Sequence, residues 1–173
     1  MIIKIIGRNR LFTVLLAGAA LLRLDAELGY RWQSWFNDSW DYVDASVLLK
    51  PDSTRTSGYS LYLAALHSFH SFALITVTQH LMGLLTALMI YALARRRFSC
   101  PAWLAALMTV PVLFDGFEVQ LEHLIMSDTL FLFLVMLALT LLLWSPLQRS
   151  RTTWLRCAAS GLLLGMSATV RTT

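Results

Sequence analysis

Long apolar segments alternate with shorter polar segments along most of this chain. A helix needs roughly 20 apolar residues to cross the hydrocarbon core of a bilayer, and on that basis the pattern predicts five spans. The predicted spans are residues 9–27, 72–97, 101–114, 129–145 and 154–173. The third is short, and we expect the polar segment that follows it to complete the crossing. The pattern therefore predicts an all-α, multi-spanning transmembrane bundle.

Two longer polar segments, residues 28–71 and 115–128, separate these spans. The first mixes carboxylates with Trp32, Trp35, Trp40 and Tyr42, and such rings are typical of the bilayer interface. We predict two juxtamembrane helices in it, one from residue 37 or 38 to about 49 and one over 59–70, lying flat on the membrane.

Composition and charge give the bundle an orientation. The chain is 57% hydrophobic, and its ten acidic residues all lie in the two polar segments or near the end of the first span. Nine of the 14 lysines and arginines occupy the other junctions: Lys4, Arg8, Arg10, Arg95, Arg96, Arg97, Arg149, Arg151 and Arg156. By the positive-inside rule these junctions are cytoplasmic. The sequence thus predicts a multi-pass protein of the cytoplasmic membrane with its N-terminus inside and its acidic loops outside.

Several function classes find no support in the residues. Cys100 and Cys157 both lie near predicted cytoplasmic helix ends, which disfavours a structural disulfide. No phosphate-binding glycine loop, zinc-protease motif or nucleophile elbow occurs. The net charge of +4 is explained by the inner arginines, so it does not indicate nucleic-acid binding.

Polar residues inside the predicted spans have structural interpretations. Arg23 and Asp25 are expected to anchor the first span at the interface, because long cationic side chains extend toward the headgroups. Gln79 and His80 are predicted to form hydrogen bonds between helices.

The first polar segment also holds candidate chemistry. Asp38 and Asp41 are three residues apart and would share one face of the first juxtamembrane helix. Two interpretations stay open from spacing alone. Either Asp38 caps this helix and the other acids are solvated, or the carboxylates form part of a site.

Several short motifs, in a fixed order, resemble a known family. They are residues 38–42 (DSWDY), 56–63 (TSGYSLYL), 79–87 (QHLMGLLTA), 94–97 (ARRR), 126–131 (MSDTLF) and 161–171. Together they resemble the polyprenyl-phosphate-dependent glycosyltransferases of the GT-C fold, which include protein mannosyltransferases and aminoarabinose transferases. The chain departs from that family at Ser57 and Ser60, where proline is usual, and at Asp128, where glutamate is more frequent.

The resemblance implies transfer of a sugar from a polyprenyl-phosphate carrier to a glycan, lipid or protein acceptor at the outer membrane face. Asp38 matches the family's first-loop aspartate and is the expected catalytic base, with Asp41 as the alternative base or as its orienting partner. Arg55 and Arg171 are candidates for holding the carrier phosphate, the alternative being interfacial anchoring. The further candidate substrate-binding residues are Tyr42, Tyr59, Glu122 and His123.

Other questions stay open from the sequence. No cofactor is implied with certainty, and a divalent metal would have Asp38, Glu122 and His123 as its candidate ligands. We expect the chain to be the N-terminal portion of a longer enzyme, because the last span runs to Thr173 without a polar tail; a truncated gene, a partial sequence and a complete small protein are the alternatives. A non-catalytic membrane protein or an inactive fragment is the alternative function.

Overall fold

The computed structural model describes residues 9–30, 35–50, 55–144, 146, 148 and 150–171. Regular secondary structure in these ranges is helical, which confirms the all-α prediction. The helices are α1 (Arg10–Gly29), α2 (Asn37–Leu48), α3 (Ser57–His67), α4 (Phe72–Arg96), α5 (Ala102–Leu107), α6 (Val110–Phe114), α7 (Gly116–His123), α8 (Asp128–Leu143) and α9 (Arg151–Val170).

Polar side chains begin three of these helices. The side chains of Asn9, Asp115 and Ser150 accept hydrogen bonds from backbone N–H groups in the first turns of α1, α7 and α9, at 3.2, 3.0 and 3.2 Å. A helix leaves its first four N–H groups without partners inside the helix, and such caps satisfy one of them.

The third predicted span, residues 101–114, is not one helix. It is divided into α5 and α6, and α7 follows after a bend of 51°. Pro111 explains the first break, because a proline ring collides with the carbonyl four residues earlier, here that of Leu107, where α5 ends.

Helix α4 lies at the centre and contacts α1, α5, α6, α7 and α8, while α9 packs along α8 and against α3. One hydrophobic core joins α2, α3, α4, α8 and the end of α9. It consists of Tyr42, Tyr59, Leu63, Ile75, Ile125, Leu130, Leu134 and Val170. A second core joins α1, α4 and α5, where the rings of Phe12 and Tyr91 stack at 3.9 Å.

Charged residues collect at the two ends of α8. At its C-terminal end, Arg156 donates to the carbonyls of Leu141 and Leu142 at 2.9 and 2.8 Å. At its N-terminal end, some 24 Å away for a helix of this length, Asp128 pairs with Arg171. In the described part of the chain, Arg156 thus lies at one end of α8 and the Asp128–Arg171 pair at the other.

Among the described helices, α4 is the single one long and apolar enough to cross a membrane. The bent combination of α5, α6 and α7 also meets these criteria when taken as one span, and α8 is apolar but shorter. The structure thus provides one candidate span or two, and the five-span arrangement stays a prediction.

Some residues used in the orientation argument lie outside the described ranges. They are Lys4, Arg8, Asp52 and Arg149; Trp32 of the first polar segment and residues 172 and 173 of the last predicted span also lie outside.

Candidate functional site

A buried salt bridge joins α1 to α7. Arg23 Nε and Nη2 donate to the two carboxylate oxygens of Glu122, each at 2.7 Å. Arg23 also donates to the carbonyls of Leu113 and Val112 at 2.9 and 3.1 Å. Both charged side chains are only 2% exposed, so the prediction of Arg23 as an interfacial anchor is wrong. The break in the helix at α6 supplies free carbonyls that its guanidinium can satisfy.

The same carboxylate contacts α4. His80 Nδ1 lies 2.8 Å from Glu122 Oε2, as expected for an interhelical hydrogen bond. Gly83, one turn further along α4, makes room for this contact, because a Cβ atom at that position would lie 1.8 Å from Glu122 Oε1. Any side chain at position 83 would displace the carboxylate.

Three ionisable side chains converge beside this pair. Glu27 of α1, His80 of α4 and His123 of α7 each present one ligand atom, and these atoms lie within 4.8 Å of one another. Thr76 donates to Glu27 Oε2 at 2.8 Å, and His123 Nε2 lies 3.0 Å from the carbonyl of Tyr30. Two imidazole nitrogens and a carboxylate oxygen form a donor set suited to a transition metal.

Gln79 fixes the chain around Glu122. Its amide nitrogen donates to the carbonyls of Glu122 and Leu124 at 2.8 and 2.7 Å, as predicted for an interhelical hydrogen-bonding residue. Its carbonyl oxygen accepts from the Tyr59 hydroxyl at 2.8 Å. The end of α7 is thereby held against α4 and α3.

The two predicted catalytic aspartates lie together on α2. Arg55 Nη2 donates to Asp38 Oδ1 at 2.5 Å, and Arg55 Nε lies 3.7 Å from Asp41 Oδ2. Asp38 is the second residue of α2, whose N-cap position falls on Phe36, so Asp38 is not the N-cap. Its charge still suits the first turn, where the helix dipole favours anions.

The predicted substrate-binding tyrosines lie in the hydrophobic core. Tyr42 and Tyr59 are both buried. Their rings meet edge to face, with the ring centroids 5.0 Å apart. The Tyr42 hydroxyl lies 3.2 Å from the hydroxyl of Ser127. Burial raises the pKa of Tyr59 well above its usual value, and the neighbouring Tyr62 and Tyr42 raise it further. Tyr59 therefore keeps its proton and donates to Gln79.

Close packing of two helices explains why the residue before Tyr59, in the motif that resembles the family, is a glycine. A Cβ atom at Gly58 would lie 2.6 Å from the backbone carbonyl of Thr169, so α3 and α9 approach too closely there for a side chain. The remaining candidate, Arg171, lies at the end of α9 and pairs with Asp128.

Sequence reasoning singled out His123 and Glu122 but missed Glu27 and the role of His80. A signal was available for Glu27, because Arg23 and Glu27 are four residues apart and share one face of α1. Ionisable residues on one face of an apolar helix mark a polar site by default.

Comparison of the chain with protein-family models, curated proteins and solved structures finds no match. The glycosyltransferase resemblance therefore stays a prediction.

Proposed function

We propose that this chain belongs to a multi-spanning membrane glycosyltransferase that transfers a sugar from a polyprenyl-phosphate carrier to an acceptor at the outer face of the cytoplasmic membrane. The observation that carries the proposal is the group formed by Asp38, Asp41 and Arg55. It places two carboxylates and one guanidinium together, and the side chains of Asp38 and Arg55 keep 20% and 36% of their surface exposed.

This group has the parts that the reaction needs. An acceptor hydroxyl needs a carboxylate within hydrogen-bond reach to take its proton. The departing lipid phosphate needs a cation to stabilise its charge, and a planar guanidinium binds phosphate oxygens in pairs. Asp38 and Arg55 supply one of each, while Asp41 keeps Arg55 in place.

The contact between Asp38 and Arg55 suggests an order of events. In the free protein Arg55 holds Asp38. When the carrier phosphate binds Arg55, the Asp38 carboxylate becomes available to the acceptor hydroxyl. As the acceptor oxygen attacks the anomeric carbon, Asp38 takes its proton and Arg55 retains the lipid phosphate that leaves from the opposite side.

Apolar side chains on the outside of the helices support a membrane location. Leu21 and Leu24 on α1, and Leu155 and Leu162 on α9, are all exposed. Exposed apolar patches of this kind mark contact with lipid or with other proteins. The stacked rings of Trp35 and Trp40, at 4.4 Å, suit the headgroup region beside α2.

The first test is sugar transfer from a labelled polyprenyl-phosphate pool, in membranes containing the protein expressed from its complete reading frame. We expect Asp38→Asn to abolish transfer while the protein level in the membrane stays normal. Asp44→Asn is the matched control, because Asp44 is an exposed carboxylate on the same helix. It should leave transfer unchanged.

Transfer that survives Asp38→Asn would remove this residue from the mechanism. Absence of transfer in the native protein, with several carrier sugars supplied, would favour a non-catalytic membrane protein.

The proposed topology has its own test. With Cys157→Ser, a membrane-impermeant maleimide should label Cys100 only after the cells are permeabilised. In a second variant with both native cysteines replaced by serine, Asp44→Cys should label in intact cells. The reverse pattern would overturn the proposed orientation.

A further inference from the structure

We propose that Glu27, His80 and His123 form a binding site for a divalent transition metal of the Zn²⁺ type. The three side chains come from α1, α4 and α7, and their ligand atoms are Glu27 Oε2, His80 Nε2 and His123 Nδ1. The site lies apart from the Asp38 and Arg55 group in its residues and its helices. It does not depend on the proposed glycosyltransferase activity.

The hydrogen bonds around the two histidines determine which ring nitrogens face the site. His80 Nδ1 lies 2.8 Å from a carboxylate oxygen of Glu122, and His123 Nε2 lies 3.0 Å from the carbonyl of Tyr30. Both partners are acceptors, so a neutral imidazole at either position has its proton on the nitrogen that faces that partner. In that tautomer His80 Nε2 and His123 Nδ1 present lone pairs.

Those two lone pairs meet each other and a carboxylate. His80 Nε2 and His123 Nδ1 are 3.4 Å apart, and Glu27 Oε2 lies 3.9 and 3.7 Å from them. Three acceptors that converge in a largely buried place repel one another unless a proton or a metal cation lies between them. The arrangement is what a metal centre requires, because metal ligands must present lone pairs.

The spacing of the three atoms fits a metal of zinc size. A triangle with sides of 3.4, 3.7 and 3.9 Å has a circumscribed circle of about 2.1 Å radius, and zinc lies about 2.0–2.2 Å from imidazole nitrogen and carboxylate oxygen. One point in the plane of the three atoms is thus about 2.1 Å from each of them, and a tetrahedral ion, which lies outside that plane, needs the three atoms to move slightly closer together.

The charges leave a place for a cation. Arg23 forms the salt bridge with Glu122. Within the described ranges, the ion-pair partners of Glu27 are His80 and His123, and no lysine or arginine forms a salt bridge with it. Its remaining hydrogen-bond donor there is Thr76. A divalent cation would compensate the Glu27 carboxylate.

Each ligand also has the supporting partner that metal sites show. Glu122 orients His80, the Tyr30 carbonyl orients His123 and Thr76 orients Glu27, in the way that outer partners fix metal ligands. Two nitrogens and one oxygen favour zinc over calcium or magnesium, which prefer oxygen ligands. A bound ion would link α1, α4 and α7 at one end of α4.

The experiment measures metal binding directly. The protein carries an affinity tag without histidine, is purified in detergent, stripped with chelator and then equilibrated with Zn²⁺ or Mg²⁺. We expect about one Zn²⁺ per chain by elemental analysis, no retained Mg²⁺, and a raised Tm with Zn²⁺, because a ligand that binds only the folded state stabilises it. Co²⁺ should give visible absorption that Zn²⁺ removes.

Ligand variants test which residues hold the ion. His123→Gln and His80→Gln should each weaken Zn²⁺ binding by more than about 100-fold, the upper end of what loss of a supporting partner costs. The matched control uses the other two histidines of the chain, His67 and His70, which are exposed and have rings 5.3 Å apart. His67→Gln/His70→Gln should bind Zn²⁺ like the native protein.

Three results would overturn the proposal. They are a native protein that is folded yet retains no Zn²⁺, binding lost in the His67/His70 control, and folded His80 and His123 variants with native affinity. If a variant fails to fold, the decision rests on the native stoichiometry, the Co²⁺ absorption and the control variant. None of these readouts depends on sugar transfer.

Discussion

Two arginine–carboxylate pairs in this molecule have similar geometry and opposite surroundings. Arg23 and Glu122 approach to 2.7 Å, and Arg55 and Asp38 to 2.5 Å. The first pair is 2% exposed on both sides, whereas the side chains of the second are 36% and 20% exposed. The two pairs therefore differ in burial and not in distance.

The difference bears on the roles that we propose for the two pairs. A buried pair is strongly destabilising to break, because the remaining charge stays out of water without a partner. A pair that water reaches contributes roughly 0–1 kcal/mol to the free energy of unfolding. Either member can therefore leave its partner and bind a ligand instead at little cost in stability. The comparison supports a structural role for Arg23 with Glu122 and a binding role for Arg55 with Asp38.

The largest expected effect comes from closing the space that Glu122 occupies. Gly83→Ala should lower the free energy of unfolding by about 5 kcal/mol, because the new methyl group both overpacks the site and displaces the buried carboxylate. Thermal unfolding in detergent, or titration with a denaturing detergent, measures the change.

A glycine elsewhere in the bundle provides the control. A Cβ atom at Gly161 in α9 would meet no atom of another described helix within 4 Å, so Gly161→Ala should leave stability equal or raise it by up to about 1 kcal/mol through helix propensity. Equal destabilisation by both substitutions would contradict the special role of position 83.

The second largest expected loss of stability comes from breaking the buried pair of Arg23 and Glu122. Arg23→Met should destabilise the protein by about 3–5 kcal/mol, because Glu122 would keep a buried charge without its guanidinium. Arg23→Met/Glu122→Met removes both charges and should recover part of that loss. A double variant less stable than the single one would show that the pair is not the dominant interaction of either residue.

The third effect concerns the hydrogen bond that links α3 to Gln79. Tyr59→Phe should cost about 1–3 kcal/mol, because the buried carbonyl oxygen of Gln79 loses its donor. Tyr42→Phe is the comparison and should cost about 1 kcal/mol or less, the usual net loss for one hydrogen bond between two neutral hydroxyls. Unfolding measurements that rank these two variants in the opposite order would contradict the assignment.

The smallest expected effect on stability is at the partly exposed pair of Arg55 and Asp38. Arg55→Gln should change the free energy of unfolding by less than about 1 kcal/mol, yet it should reduce sugar transfer strongly if Arg55 holds the carrier phosphate. A large loss of stability would remove the contrast between the two pairs. Unchanged transfer would separate Arg55 from the proposed reaction.

The sequence predicted the all-α secondary structure and the arginines at the ends of helices, because both depend on properties of short segments. Apolar runs of about 20 residues favour helices, and an arginine at the end of such a run lies at the end of the helix. The end of α5 is also determined by a nearby residue, since the ring of Pro111 collides with the carbonyl of the residue four positions before it. These features needed no knowledge of which helices are neighbours.

The tertiary structure decided the site. His80 and His123 are 43 residues apart, and only the packing of α4 against α7 brings their rings together. The packing of α1 against α6 and α7 likewise buries Arg23, which by itself is typical of an interfacial anchor. The sequence gives the charge and the hydrogen-bonding groups of each side chain. The assembled helices decide how exposed that side chain is and which groups it contacts. Exposure and partners in turn decide whether a charged pair supports the fold or is available to a ligand.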